Sequence, residues 1–185
     1  MRKKLKFLYL AIIFIIFFRV PVFALPAQNV EIVTDREYFQ VVHRTLREAS
    51  HSIQLMMYTI GYYKKYPESP SNILIRDLIE AKQRGVEVKV ILDISDWNQK
   101  VTRRNENTGR ILSKNGVDVG YDPLPIDTHA KLVIIDGMIT ILGSTNWTYY
   151  SLDRNNEVSL LIKSKEVAQK LSNYFQRIWK TCQQE

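Results

Sequence analysis

The chain has 185 residues, of which 45% are hydrophobic and 24% charged, a balance that fits one globular domain and excludes a disordered chain. Its net charge of +7 and pI near 9.4 point at first to nucleic acid. Five basic residues (Arg2, Lys3, Lys4, Lys6 and Arg19) precede Leu25 with no acidic residue among them, which leaves 21 basic and 19 acidic residues beyond and a net charge of only +2, so any anion binding has to rest on local charge.

Residues 1–24 have the layout of a secretory signal. A basic start is followed by twelve apolar residues from Phe7 to Phe18, then by Val22 and Ala24, small residues suited to cleavage. Twelve apolar residues fall short of the roughly 20 that span a bilayer; an uncleaved membrane anchor is the other reading. The expected product is an exported protein, periplasmic or secreted, with one catalytic domain over 25–185.

Beyond Leu25, strands and helices alternate. NVEIVT (Asn29 to Thr34) reads as a strand, and Asp35 as the cap of a helix to about Ala49 that buries Phe39, Val42 and Leu46. SIQLMMYTI (Ser52 to Ile60) is a strand. Ser71 opens a second helix with Ile73, Leu74, Leu78 and Ala81 inward, and Gly85 stops it. VEVKVILD (Val86 to Asp93) is a β-branched strand. A polar stretch from Ile94 to about Arg103 precedes a third helix over Asn105 to Lys114. Val117 to Tyr121 is a short strand, and two more strands meet at Asp136-Gly137, a hairpin dipeptide. A strand from Glu157 to Ile162 and a helix from Ser164 to about Trp179 complete the chain. The order predicts an α/β domain whose sheet is mixed and flanked by helices. The lone Cys182 allows no internal disulfide.

The chemistry gathers in His129-Ala130-Lys131-Leu132-Val133-Ile134-Ile135-Asp136, of the form H-x-K-x-x-x-x-D, with Gly143-Ser144-Thr145-Asn146 close behind. On a strand, residues two apart share a face. His129 and Lys131 therefore project together, while Ala130, Leu132 and Ile134 face the core. An ammonium neutralises phosphodiester charge, an imidazole serves as nucleophile or acid–base near neutrality, and Ser144 and Asn146 can donate hydrogen bonds to phosphate oxygens. Asp136 belongs to the candidate set, but its offset and turn position equally suit a structural role.

HAKLVIIDG followed by GSTN resembles the HKD motif of the phospholipase D superfamily, most closely its small single-motif bacterial endonucleases. MMYTI, AKQRGVEVKVILD and RNNEVSLLI follow the family's pattern in the same order. The resemblance implies a phospholipase D-like fold, His129 as a nucleophile that becomes phosphohistidine, Lys131 and Asn146 as phosphate ligands, and Ser144 near the phosphate. It implies Glu157 as the acid that orients His129, and no divalent metal or other cofactor. The full enzymes carry two such motifs and this chain carries one; His43 and His51 lack a lysine two residues on. A symmetric homodimer would supply the second histidine.

GYYKKYPESPS (Gly61 to Ser71) interleaves Tyr62, Tyr63 and Tyr66 with Lys64 and Lys65, a mixture that suits single-stranded nucleic acid or a lipid headgroup surface. Tyr62, Lys64, Lys65 and Trp147 are candidate substrate contacts; Trp97, Lys100, Arg103 and Arg104 form a second rim. The sequence supports an exported nuclease first, a phospholipase D acting on membranes second, and a non-catalytic nucleic-acid or membrane-binding module third.

Overall fold

The computed structural model of the chain describes residues 24–185, so the expected export signal lies outside the described residues apart from Ala24. In chain order the elements are β1 (Asn29–Thr34), α1 (Glu37–Glu48), β2 (Ser52–Met57), α2 (Pro70–Gln83), β3 (Glu87–Leu92), α3 (Gln99–Lys114), β4 (Asp118–Tyr121), β5 (Lys131–Ile135), β6 (Ile139–Gly143), α4 (Tyr149–Asp153), β7 (Val158–Lys163), α5 (Lys165–Trp179) and β8 (Gln183–Gln184). The strands form one sheet in the order β1-β7-β6-β5-β2-β3-β4-β8. Only β2–β3 and β3–β4 pair in parallel; the other neighbours are antiparallel. The mixed α/β sheet expected from the sequence is the one observed. Among the described residues no helix is long and apolar enough to cross a membrane.

Both faces of the sheet are covered at its centre. On one face Val42, Leu46, Leu74, Leu78 and Leu112 of α1, α2 and α3 pack on Leu55, Val90 and Val133. On the other, Ala168 and Phe175 of α5 pack on Met56, Ile91, Leu132 and Ile134. All five residues of β5 are buried, which explains its unbroken apolar run between Lys131 and Asp136.

The register gathers one set of chain ends. Met57 pairs with Lys131 and with Leu92, and Leu92 pairs with Tyr121. Leu132 pairs with Leu142, and Gly143 pairs with Ser159. The segments after β2, β3, β4 and β6, and the one before β7, therefore open at the same edge of the sheet, where ligand sites of α/β sheets lie.

Several boundaries differ from expectation. Asp35 does not cap α1: its φ is +48°, and its carboxylate accepts the Glu157 N–H at 2.9 Å, tying β1 to β7. Tyr38 replaces Phe39 as the buried aromatic of α1. Ser69 rather than Ser71 caps α2, with Pro70 in the first turn; Ser71 Oγ instead donates to the carbonyls of Gly61 and Trp147. Helix α3 starts at Gln99, capped by Asn98; its first six residues offer only Val101 to the core, too little for a helical period to show. The short elements α4 and β8 have too few residues for periodicity to show.

Asp136 sits at the far end of β5 from Lys131, about 17 Å away at some 3.3 Å per strand residue. It and Gly137 have φ of +51° and +61°, as a tight two-residue hairpin requires. Its carboxylate accepts the N–H groups of Ser50, His51 and Ser52 at 2.8–3.0 Å and the Ser50 hydroxyl. Burial alone would raise its pKa, but those backbone N–H groups outweigh burial and hold it below the ordinary value. This corrects its assignment to the catalytic set: it fastens the α1–β2 connection to the β5–β6 hairpin. Asp136→Ala is expected to cost about 2 kcal/mol in urea unfolding. Since the folded carboxyl is the stronger acid, this contribution is full above the ordinary carboxylate pKa and fades as pH falls through the folded value. Urea midpoints at pH 7 and pH 3 check both statements.

Candidate active site

Lys131 opens β5 and is only 8% exposed. Its Nζ donates to the His129 carbonyl at 2.7 Å, lies 3.3 Å from His129 Nδ1, and stands 5.0 Å above the centre of the Tyr58 ring. No carboxylate forms an ion pair with it among the described residues. Burial lowers its pKa, and the charges of Glu157 and Asp93 oppose that shift. The site thus holds a buried ammonium with donor capacity to spare, which suits a phosphate oxygen.

His129 lies two residues before β5, outside the regular strand. The side chains nevertheless meet as the alternation predicted, because the extended backbone continues: Tyr58 N–H donates to the Ala130 carbonyl at 3.0 Å. Tyr58 packs its ring on His129 with centroids 4.5 Å apart, and its hydroxyl accepts from Asn98 Nδ2 at 3.3 Å. Tyr58 forms one wall for both catalytic candidates. The sequence reading absorbed it into a strand and missed it.

Ser144 and Asn146 follow β6 at the same edge. Ser144 Oγ donates a short hydrogen bond to Glu157 Oε2 and accepts from the Val158 N–H at 3.1 Å. Glu157 Oε1 accepts from Asn155 Nδ2 at 3.1 Å. Both oxygens of Glu157 therefore have partners, and neither partner is His129; the expected orienting bond is replaced here by the approach of Lys131. The buried Oδ1 of Asn146 has no hydrogen-bond partner among the described residues, which marks an unfilled polar position beside the lysine's edge of the sheet.

Two acids hold the loop that carries His129, and an amide ties together the neighbouring segments. Asp93 Oδ1 accepts the Thr128 N–H at 2.7 Å, and Asp122 Oδ1 accepts the Ile94 N–H at 3.0 Å. Their second oxygens, both buried, lack partners. Asn105 on α3 donates to the carbonyls of Tyr58 and Asp93 at 2.8 Å each and accepts the Ile60 N–H at 3.0 Å. These residues were not singled out from the sequence. The available signal was position: Asp93 and Asp122 each stand immediately beyond a parallel strand, where site loops begin.

The expected substrate contacts divide. Lys65 lines a cleft together with Tyr149 and Tyr150, which follow Asn146 in the chain; Tyr62 and Lys64 are exposed but do not. Trp147 is fully buried, with its Nε1–H donating to Tyr38 Oη at 3.2 Å. It faces the α1 layer, so its assignment as a substrate contact is corrected to core. His43 is held at 2.7 Å by buried Asp77, and His51 lies at the Asp136 end of the sheet, so neither joins His129. Among the described residues no cluster of three His, Cys, Asp or Glu side chains is placed to hold a metal ion.

The pattern of the family described as "Cardiolipin synthase, PLD-like domain" matches residues 42–179. A phospholipase D of Rickettsia typhi is 38% identical over 117 residues, which are 63% of this chain and 54% of that protein. A human mitochondrial cardiolipin hydrolase is 33% identical over 97 residues, 52% of this chain and 36% of its own. The chain spans about half the length, or less, of these relatives. Among solved structures, Nuc from Salmonella typhimurium, a phospholipase D family member, superposes with a TM-score of 0.72 at 22% identity, covering 85% of this chain and 97% of Nuc. NucT from Helicobacter pylori gives 0.64 at 21% identity, covering 83% and 98%. At these identities the two likenesses are of fold.

Asp93 offers a test of this architecture. Burial, and then the neighbouring charge of Asp122, push its pKa up to about 7. Between the unfolded value near 3.9 and about 7, the unfolded chain releases this proton while the folded chain keeps it, so stability falls as pH rises through that window. Asp93→Asn, which retains the acceptor for Thr128, is expected to flatten that fall. Urea midpoints measured from pH 4 to 8 should show the two proteins diverging toward high pH, the wild type falling below Asp93→Asn; parallel curves contradict the assignment.

Proposed function

The chain belongs to the phospholipase D superfamily, and from that premise we propose that it is a metal-independent phosphodiesterase, most simply an exported endonuclease acting on DNA or RNA. The observation that carries the reading is the buried, carboxylate-free ammonium of Lys131 lying 3.3 Å from the His129 ring. A non-catalytic binding module has no need of that costly arrangement.

In the proposed reaction a non-bridging oxygen of the diester takes the Lys131 ammonium, and Asn146 and Ser144 donate to the same phosphoryl group. While Lys131 donates to His129 Nδ1, the neutral ring keeps its proton on Nε2. Drawing the lysine to phosphate frees Nδ1 to carry the proton, with Glu157 as its acceptor once Ser144 turns to substrate, and leaves the lone pair on Nε2. Nε2 attacks phosphorus, the P–N bond forms, and the P–O bond to the leaving group breaks. A second histidine protonates the leaving oxygen, then takes a proton from the water that cleaves P–N and restores His129.

That second histidine is His129 of another copy in a symmetric homodimer. The exposed apolar side chains of Trp97, Leu124 and Ile126 support it, since they lie on the segments that surround the half-site and gain by being covered. Export through the N-terminal segment is part of the same proposal. A second reading, hydrolysis of a glycerophospholipid headgroup, is favoured by the names of the Rickettsia and human relatives; the bond broken is of the same kind.

His129→Asn is expected to lower kcat on any diester substrate by more than about a thousandfold, and the wild type should keep its rate in EDTA. Loss of activity in EDTA contradicts the metal-independent reading. Mixing wild-type and His129→Asn subunits tests the dimer. If one site needs both histidines, activity per wild-type subunit falls in proportion to the wild-type fraction after exchange; a constant value contradicts the shared site.

A further inference from the structure

Further along the segments that follow Tyr58 and Asn146 lies a cleft of about 770 Å³, within the usual range for small-molecule sites of about 300–1,000 Å³. Its floor and walls come from two segments that leave the catalytic edge. One follows Tyr58 and holds Tyr63, Lys65 and Tyr66; the other follows Asn146 and holds Tyr149 and Tyr150; Arg104 closes it from α3. The Gly61 N–H donates to the Trp147 carbonyl at 2.8 Å and the Tyr149 N–H to Tyr63 Oη at 3.0 Å, so the two segments form one rigid wall. Arg104 is the neighbour of Asn105, the clamp on Tyr58.

The lining decides what the cleft suits. Its four tyrosines are accompanied by two prolines and by no Leu, Ile, Val, Met or Phe. An acyl chain is best covered by aliphatic side chains, and the tyrosine hydroxyls here would face it without benefit. Flat π-systems of intermediate polarity are what tyrosine rings stack on. Tyr66 and Tyr150 are each 68% exposed, large rings held at the surface with a face to spare. Lys65 and Arg104 have no ion-pair partner among the described residues, whereas the cleft's one acid, Glu68, is paired with Arg76. Charge complementarity therefore points to a polyanion threaded along the rings.

We propose that this cleft is a base-stacking subsite for single-stranded nucleic acid, in which nucleotides flanking the reacting phosphate stack on Tyr66 and Tyr150 while Lys65 and Arg104 take the adjoining phosphates. It rests on the phosphodiesterase reading above and names the substrate of that same site. A duplex keeps its bases stacked on one another and cannot offer them to the cleft, so single strands bind more tightly than duplexes of the same sequence.

The test uses the full chain carrying His129→Asn, so that nothing is turned over, and fluorescence anisotropy on four probes: a labelled single-stranded oligodeoxynucleotide, an abasic strand of equal length, the duplex, and phosphatidylglycerol vesicles. Adding Tyr66→Ala and Tyr150→Ala together raises Kd for the base-bearing strand about tenfold and leaves the abasic strand's Kd unmoved. Lys65→Gln with Arg104→Gln weakens both strands and lowers the slope of log Kd against log salt by about 0.7 for each cation removed. No binding of the strand, equal Kd with and without the tyrosines, equal weakening on the abasic strand, or weakening on vesicles alone overturns the proposal. Hydrolysis of bis(p-nitrophenyl) phosphate, which has neither base nor acyl chain, is read separately with the wild type and His129→Asn. Failure there sinks the phosphodiesterase reading, while the binding comparison still decides the cleft.

Discussion

Burying an ammonium without a carboxylate partner costs a protein on the order of several kcal/mol, and the arrangement around Lys131 depends on tolerating that cost. The strand register fixes its backbone opposite Met57. The His129 carbonyl takes one hydrogen, the ring nitrogen meets another, and the face of Tyr58 receives the charge. The charges of Glu157 and Asp93 oppose the lowering that burial imposes on the lysine's pKa, but neither carboxylate forms a bond to it that an incoming anion would have to displace. In the proposed reaction an arriving phosphodiester relieves the unpaired charge, so that the unfavourable state of the free protein becomes binding energy at the reacting group.

Holding this state requires a stiff surround. Val133 and Ile135 seat one face of β5 on the helices α1 and α2, and Leu132 and Ile134 seat the other on α5. The lysine at the strand's mouth therefore cannot swing with its backbone. Asn105 joins the segments after β2 and β3 through three hydrogen bonds. Asp93 fastens the segment before β5 by the Thr128 N–H. At the opposite edge Asp136 closes the hairpin and secures the start of β2. Support thus reaches β5 from both of its ends, and the candidate chemistry stands at one.

Much of this was legible in the sequence because it repeats at the period of its element. The alternation of His129, Lys131 and the core residues between and beyond them survived even though His129 lies outside the regular strand. The unbroken apolar run of β5 announced burial on both faces. Asp136 kept its turn chemistry, and the structure settled its role as a fastener. What stayed illegible depends on side-chain direction across long separations. Trp147 follows Asn146 directly yet points into the α1 layer, because the chain has left β6 at Gly143 and bridges to Ile60. Tyr58 reads as one more strand residue, although its ring supports both catalytic candidates. Asp93, Asn105 and Asp122 act through backbone groups 12–47 residues away, which no local pattern encodes. The start of α3 was misplaced because Gln99–Arg104 holds a single buried apolar residue, Val101, and so carries little periodic signal.

The most direct measurement of the central claim is to trap the covalent intermediate. Wild-type protein mixed with an excess of a phosphodiester substrate is quenched at alkaline pH, where phosphohistidine survives, and mapped by peptide mass spectrometry. The account predicts a phosphoryl adduct on the peptide containing His129, formed at the rate of the first leaving group's release. An adduct on another residue, or steady turnover with none at His129, would contradict it.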